Sequence, residues 1–448
     1  MKTLLRVILA LVVIGLIALV AFIYVPVQTT QPTTQLAADH KPAAGAGEYM
    51  MRASDCMACH TSEGGEPFAG GRAIESPMGT IWATNITPDK EDGIGNYTLD
   101  DFRAALYDGI RKDGAHLYPA MPYENYRKLN EEDVVALYDY FMNEVKPVSN
   151  KVEETKLSFP FNLRFGLRAW NWVALGDAGF KPVEGEDEQF NRGAYLVEGA
   201  AHCAACHSPR NLIMAQDGTD QTSEAFLSGG EIDGYTAPDL RGPRSAPQQW
   251  TVEQTAAYLA TGRNAHSTAT GEMMLVVRDS LQYLTDEDNM AIAAYVKKIG
   301  NGGQDQAAAE PAANQTAPAA DQKAEVTETE KMLTDASPDM PLGPRLYLDN
   351  CGGCHFVNGK GAPEIFPELD NNSLVTASSS KGLLSVILHG AELPSTRNRP
   401  MKVRMQAYAD RLNDEEVAAL ATFLRSAWHN NAPAVSAADV EAVRGNAH

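Results

Sequence analysis

Apolar and polar positions along this chain fall into four kinds of pattern, and each predicts a different element. Lys2 and Arg6 precede an uninterrupted apolar run over residues 7–25, nineteen positions without a charge. As a helix such a run spans about 28 Å, close to the hydrocarbon thickness of a bilayer. A second pattern occurs three times, as a polar and acidic cluster followed by apolar residues at helical spacing. Its copies are Leu129-Asn130-Glu131-Glu132-Asp133-Val134 with Leu137, Tyr138 and Phe141, Leu284-Thr285-Asp286-Glu287-Asp288 with Ile292, Tyr295 and Val296, and Leu412-Asn413-Asp414-Glu415-Glu416-Val417 with Leu420 and Leu424. Each predicts a helix capped by Asn130, Thr285 or Asn413, with Asp288 and Glu416 placed as in a capping box and acidic first turns that complement the helix dipole. Shorter helical segments over 195–200 and 346–350 open the second and third copies.

The other two patterns are joins. Residues 301–327 are rich in Ala, Gln, Pro and Asn with almost no large apolar side chain. They cannot bury enough surface to offset ordering entropy, which predicts a flexible linker and a third unit tethered rather than fused. Phe159-Pro160-Phe161-Asn162-Leu163-Arg164-Phe165, continuing to Trp170-Asn171-Trp172, is aromatic and basic. Large aromatics usually bury their faces, so a strap packed across its neighbours is expected, with a docking strip for a membrane interface or partner as the alternative. The resulting plan is a transmembrane anchor (1–28), a linker (29–45), a first unit (46–150), the strap (151–185), a second unit (186–300), the flexible linker (301–330), a third unit (331–430) and a C-terminal tail (431–448).

Composition narrows the class. With 448 residues, 44% hydrophobic and 21% charged, the chain has enough apolar material for about three cores. A formal charge of −21 excludes nucleic acid as a natural partner. Basic residues before the apolar run and none directly after it place the N-terminus in the cytoplasm and the rest outside. A cleaved signal peptide is the competing reading, but the run exceeds the usual 7–15 residues, and Leu36-Ala37-Ala38 is a distant and poorly matched cleavage point.

All six cysteines lie in three copies of Cys-x-x-Cys-His: Cys56, Cys59 and His60; Cys203, Cys206 and His207; Cys351, Cys354 and His355. This spelling attaches a c-type haem, with two thioether bonds to the porphyrin edge and the adjacent imidazole as proximal iron ligand. A zinc site or a redox dithiol is the alternative. Zinc would need cysteine pairs brought together from 147 and 148 residues apart, and neither alternative explains the invariable histidine.

A methionine on the far side of the iron would close it for electron transfer. Met121 follows Leu117-Tyr118-Pro119-Ala120, in a stretch that its flanking prolines predict to be extended. Met273 in Gly271-Glu272-Met273-Met274 and Met405 lie at similar places before their closing helices, with Met274 and Met401 as weaker rivals. Met78 and Met214 are expected to be core filler. His116, His202, His266 and His389 share no repeated position, and surface or propionate contact is expected of them.

Taken together, these strings resemble the three-haem cytochrome c subunits of bacterial membrane-bound dehydrogenases. The likeness runs through Phe68-Ala69-Gly70-Gly71, Thr84-Asn85-Ile86-Thr87-Pro88-Asp89 and Leu117 to Tyr123 in the first unit. It continues through Asn191-Arg192-Gly193-Ala194-Tyr195-Leu196, Ala237-Pro238-Asp239-Leu240, Gly262-Arg263-Asn264 and Ser280-Leu281-Gln282-Tyr283 in the second, and Phe366-Pro367-Glu368-Leu369, Leu388-His389-Gly390 and Arg425-Ser426-Ala427-Trp428 in the third. The resemblance implies an all-α chain of three tandem cytochrome c-like domains behind an N-terminal transmembrane helix, with three covalently attached haem c groups. It further implies a catalytic dehydrogenase partner of molybdenum, pyrroloquinoline quinone or flavin type, room for a small third subunit, and ubiquinone as acceptor at the periplasmic face of the inner membrane. The chain itself is expected to be a non-catalytic electron-transfer subunit. Many relatives have Met-Pro where this chain has Met405-Gln406, and the long apolar run is more like the anchored subunits of aldehyde-oxidising molybdenum enzymes than like alcohol dehydrogenase subunits. A tethered shuttle feeding a terminal oxidase and a haem peroxidase are the rival functions.

Overall fold

The computed structural model describes residues 2–25, 27–37, 39–232, 235–300 and 326–445. The described chain is mostly helical and divides into two compact bodies, one of Met1–Gly47 with His60–Phe180 and one of Glu48–Cys59 with Lys181–His448. Three antiparallel two-stranded ribbons modify the all-α expectation: Ala73–Ile74 with Ile81–Trp82, Gly230–Ile232 with Tyr235–Ala237, and Ala391–Glu392 with Arg404–Met405. Their strands are too short for an alternating pattern to register in the sequence.

The predicted closing helices form as Glu131–Asn143, Asp286–Gly300 and Asp414–Ser426. The side chains of Asn130 and Asn413 accept from the backbone N–H groups of Asp133 and Glu416, and Glu416 completes its capping box. The second helix differs. Thr285 accepts from the Asp288 N–H at 3.1 Å, but the Asp288 carboxylate turns to Arg192 (2.7 Å) and to the Tyr49 hydroxyl. That hydroxyl accepts the Thr285 N–H at 3.2 Å, which stands in for the missing half of the box.

One helix crossing occurs three times. Gly47, Gly193 and Gly343 each lie on an opening helix (Ala46–Ala53, Glu188–Tyr195, Leu342–Asn350) pressed against the closing helix of the same repeat. A Cβ at these positions would meet the carbonyl oxygens of Ala136 at 2.2 Å, Ala291 at 2.1 Å and Ala419 at 2.5 Å. The Cβ atoms of Tyr140, Tyr295 and Phe423, one turn beyond each of those carbonyls, would be next at 2.5, 2.7 and 2.8 Å. Only a residue without a side chain lets the two backbones approach so closely.

In the first body, Phe68 stands edge-on to Tyr140 and Phe141, and a buried Arg103–Glu131 pair ties the helix Leu99–Asp108 to the start of the closing helix. The strap packs in part, burying Leu157 and setting Trp170 edge-on to Tyr123, but several of its aromatics do not bury their faces. It contains the helix Gly166–Ala174, which has no buried residue, and it leaves Phe159, Phe161, Trp172 and Val173 largely exposed. The helix Lys2–Tyr24 is long and apolar enough to cross a membrane.

In the second body the third repeat is docked on the second, which corrects the expectation of a purely tethered unit. Asn264 and His266 carbonyls accept the N–H groups of Glu364 (3.1 Å) and Glu368 (2.9 Å). The buried Arg263 guanidinium donates to the carbonyls of Glu364, Arg399 and Met401, and Arg397 donates to both oxygens of Gln282. The linker residues 301–325 lie outside the described residues. The tail expected over 431–448 is instead structural. Helix Ala437–Arg444, with its Ser436–Asp439 capping box, buries Val440 and holds Arg444 on Asp414 at 2.7 Å.

Candidate haem sites

Each Cys-x-x-Cys-His motif forms a single helical turn: Cys56–His60, Ala204–His207 following a helical Cys203, and Gly352–His355 following Cys351. Cysteines three residues apart on such a turn share a face, as attachment to one macrocycle requires. The turn starts sharply in two cases, where Asp55 and His202, just before the first cysteine, hold φ of 49° and 38°. Strain of this kind concentrates at functional positions.

None of the six cysteines, all among the described residues, is joined in a disulfide. Burial pushes the Cys56 thiol up to about 12, with the Asp55 and Cys59 charges acting the same way. Burial and the paired cysteine also lift Cys203 and Cys351 to about 12. A redox dithiol works as thiolate, which these surroundings disfavour. Among the described residues no three His, Cys, Asp or Glu side chains converge as a metal cluster.

The histidines carry the clearest geometry. His60 Nδ1 lies 2.6 Å from the Thr84 carbonyl oxygen, His207 Nδ1 lies 2.8 Å from that of Pro238, and His355 Nδ1 lies 3.0 Å from that of Pro367. A carbonyl only accepts, so Nδ1 carries the proton and Nε2 keeps its lone pair for a metal. Burial also lowers the pKa of all three rings, which keeps them neutral as ligation demands. The donor set therefore fits a c-type haem at each motif, with the two cysteines for attachment and histidine Nε2 for iron. Pro238 and Pro367 fall in matching strings, Pro238-Asp239-Leu240 and Pro367-Glu368-Leu369, which is the signal in the sequence for these orienting carbonyls.

The methionines sit in three different settings. Met121 is half-buried in a turn rather than an extended stretch, its N–H closing onto Tyr118 O at 3.2 Å. Met273 lies on the helix Glu272–Asp279, and the adjacent Met274 is equally half-buried. About 100° of helix rotation separates their side chains, so they face different directions. Met405 sits on a ribbon strand and packs against the core that contains Cys351 and Tyr347, whereas Met401 is 73% exposed. Met214 is exposed in a turn at φ 64° and fills no core.

Two other histidines, of which surface or propionate contact is expected, are withdrawn from solvent. His116 is buried, with its ring 3.4 Å from the Asn171 amide. His202 is hydrogen-bonded to the Ser54 backbone, and burial lowers its pKa to about 4. This contact joins the residue before Cys203 to a residue two positions before Cys56. His266 stacks on Trp250 and lies 3.3 Å from Glu368, at the junction of the second and third repeats, while His389 is exposed.

Comparison with known proteins agrees with this chemistry. The family model Cytochrome c matches residues 341–428. The gluconate 2-dehydrogenase cytochrome c subunit of Pantoea cypripedii is 39% identical over 405 residues, covering 89% of this chain and 88% of that protein. The alcohol dehydrogenase (quinone) cytochrome c subunit of Gluconobacter oxydans is 38% identical over 411 residues, covering 89% and 81%. The fructose dehydrogenase cytochrome subunit of Gluconobacter japonicus is 38% identical over 446 residues, covering 96% and 87%.

Proposed function

The chain belongs to the cytochrome c subunits of gluconate, alcohol and fructose dehydrogenases, and from that membership we propose that it is a three-haem electron-transfer subunit of such a complex. The single observation that carries the number three is the repeated clamp of a motif histidine by a backbone carbonyl, at His60, His207 and His355. The thrice-repeated glycine crossing supports three cytochrome c-like domains. Cys56 and Cys59, Cys203 and Cys206, and Cys351 and Cys354 would attach the groups, and the three histidines would ligate iron. Met121, Met273 and Met405 would each supply a thioether sulfur to the iron of its repeat. Bound haem supplies a one-electron ferric–ferrous couple with a potential raised by thioether ligation. The protein fixes the tautomer and orientation of each imidazole and surrounds it with apolar core.

In this reading the helix Lys2–Tyr24 is a retained anchor, Lys2 and Arg6 stay in the cytoplasm, and the haem domains face the periplasm. Electrons enter from a catalytic subunit that oxidises an aldehyde or alcohol, and leave to ubiquinone. The similarity to the cytochrome c subunit of a quinone-type alcohol dehydrogenase supports a quinone acceptor. Purification in mild detergent tests the proposal: a second, catalytic subunit should accompany the chain, and its substrate should reduce the haems. Isolation of the chain alone, with haems reduced only by a soluble donor, would favour a tethered shuttle instead.

A further inference from the structure

The strap helix Gly166–Ala174 is amphipathic in the wrong sense for a surface in water. A surface helix buries its apolar stripe and shows its polar residues to solvent. Here Phe165, Ala169, Trp172 and Val173 are exposed, while Arg168 and Asn171 turn toward the protein. Asn171 donates to the Asp108 carbonyl at 2.7 Å and accepts from the Tyr123 hydroxyl at 3.2 Å. The loop before it exposes Phe159 and Phe161, and residues 156–176 contain no acidic side chain in a chain with 58 of them.

The position of this face identifies what covers it. Arg168 donates at 2.6 Å to the carbonyls of both Phe22 and Val25, groups that the end of the apolar helix Lys2–Tyr24 leaves unpaired. The Phe22 ring meets Trp172 edge-on at 5.3 Å. Side chains that touch the last turn of a bilayer-length helix lie at the depth of the headgroups, where Trp and Phe concentrate. We propose that the Gly166–Ala174 helix and the loop before it form an interfacial membrane-docking surface, with Phe159, Phe161, Phe165, Trp172 and Val173 seated in the lipid. The surface would hold the first haem domain at a fixed orientation to the bilayer that one spanning helix alone does not impose. This rests on the reading of Lys2–Tyr24 as a retained anchor.

The test uses the full-length, haem-loaded chain with its co-purifying subunits in vesicles of phosphatidylcholine and phosphatidylglycerol carrying a diazirine phospholipid. Photolysis and peptide mass spectrometry should find lipid adducts both on the Lys2–Tyr24 helix and over residues 157–173. Adducts on the apolar helix alone would overturn the docking surface and leave the anchor standing, whereas adducts on neither would overturn the anchor as well. Protein–protein crosslinks over 157–173 in place of lipid adducts would overturn the proposal in favour of a subunit interface. The double variant W172E/V173E should lose the 157–173 adducts while keeping those on the apolar helix and an unchanged haem spectrum. Wild-type labelling of that variant would also overturn the proposal.

Discussion

Replacing Gly193 by alanine should destabilise this protein, although the same change in an open helix interior is usually stabilising by about 1 kcal/mol. The new Cβ would sit 2.1 Å from the Ala291 carbonyl oxygen and 2.7 Å from both the Ala291 carbonyl carbon and the Tyr295 Cβ. None of these atoms is the free end of a flexible side chain, so relief requires the two helices to part by roughly 1 Å, since ordinary contact begins near 3.4 Å. Overpacking of this kind costs about 1–3 kcal/mol. Parting the helices would also disturb the Phe190–Tyr295 ring contact and the buried Tyr295–Glu198 hydrogen bond, which places the expected loss toward the upper end. At roughly 2–4 °C per kcal/mol for a body of this size, a loss of about 2–3 kcal/mol should lower the midpoint by about 4–12 °C. Thermal unfolding of the detergent-solubilised holoprotein, followed by far-ultraviolet circular dichroism, measures it. Gly166→Ala is the control, because nothing lies within 4 Å of that position, and its midpoint should hold or rise. A G193A midpoint equal to or above wild type, at full haem content, would refute the crossing as the constraint on that glycine.

Three further outcomes follow from the same geometry. Burial alone would raise the Asp288 pKa, but hydrogen bonds from Arg192 and Tyr49, with the Arg192 charge, outweigh it and hold the carboxylate below its ordinary 3.8. The stabilisation is therefore full above about pH 4 and is lost as pH falls through the lower folded value, so Asp288→Asn should cost about 1–3 kcal/mol at neutral pH and flatten the acid limb of a stability–pH profile. Arg263→Ala removes three donated contacts between the second and third repeats, and should raise hydrogen exchange over residues 362–368 and 395–401 while leaving the haem count unchanged. Single substitution of Met121, Met273 or Met405 by alanine should each remove part of the sulfur-to-iron charge-transfer absorption, and Met401→Ala should remove none. An undiminished band in all three would mean that the ligands are misassigned.

Local signals were read well from the chain and distant ones were not, for a physical reason. An N-cap such as Asn130 or Asn413 bonds to a backbone N–H three residues away, so spacing alone reveals it. The cap at Thr285 is completed by Tyr49, 236 residues earlier, which no local pattern encodes. The Cys-x-x-Cys-His turns are legible because each lies within five residues. The carbonyls that orient the histidines lie 24, 31 and 12 residues beyond their rings, and only the shared Pro–acid–Leu strings hint at two of them. Arg263 was visible within a familiar string, but its clamp on residues of the next repeat was not. In the strap, composition gave the aromatics, but a sequence does not say which medium they face. The helix after Ser436 was missed despite a readable Ser-x-x-Asp box, since its apolar stripe is one short turn long.

The central claim is that three haems are bonded to this one chain, and intact mass spectrometry of the purified mature protein tests it most directly. The account predicts the polypeptide mass plus three haem groups, falling to two in each of the variants Cys56→Ala/Cys59→Ala, Cys203→Ala/Cys206→Ala and Cys351→Ala/Cys354→Ala. A native mass carrying a single haem, lost only when Cys351 and Cys354 are replaced, would contradict it.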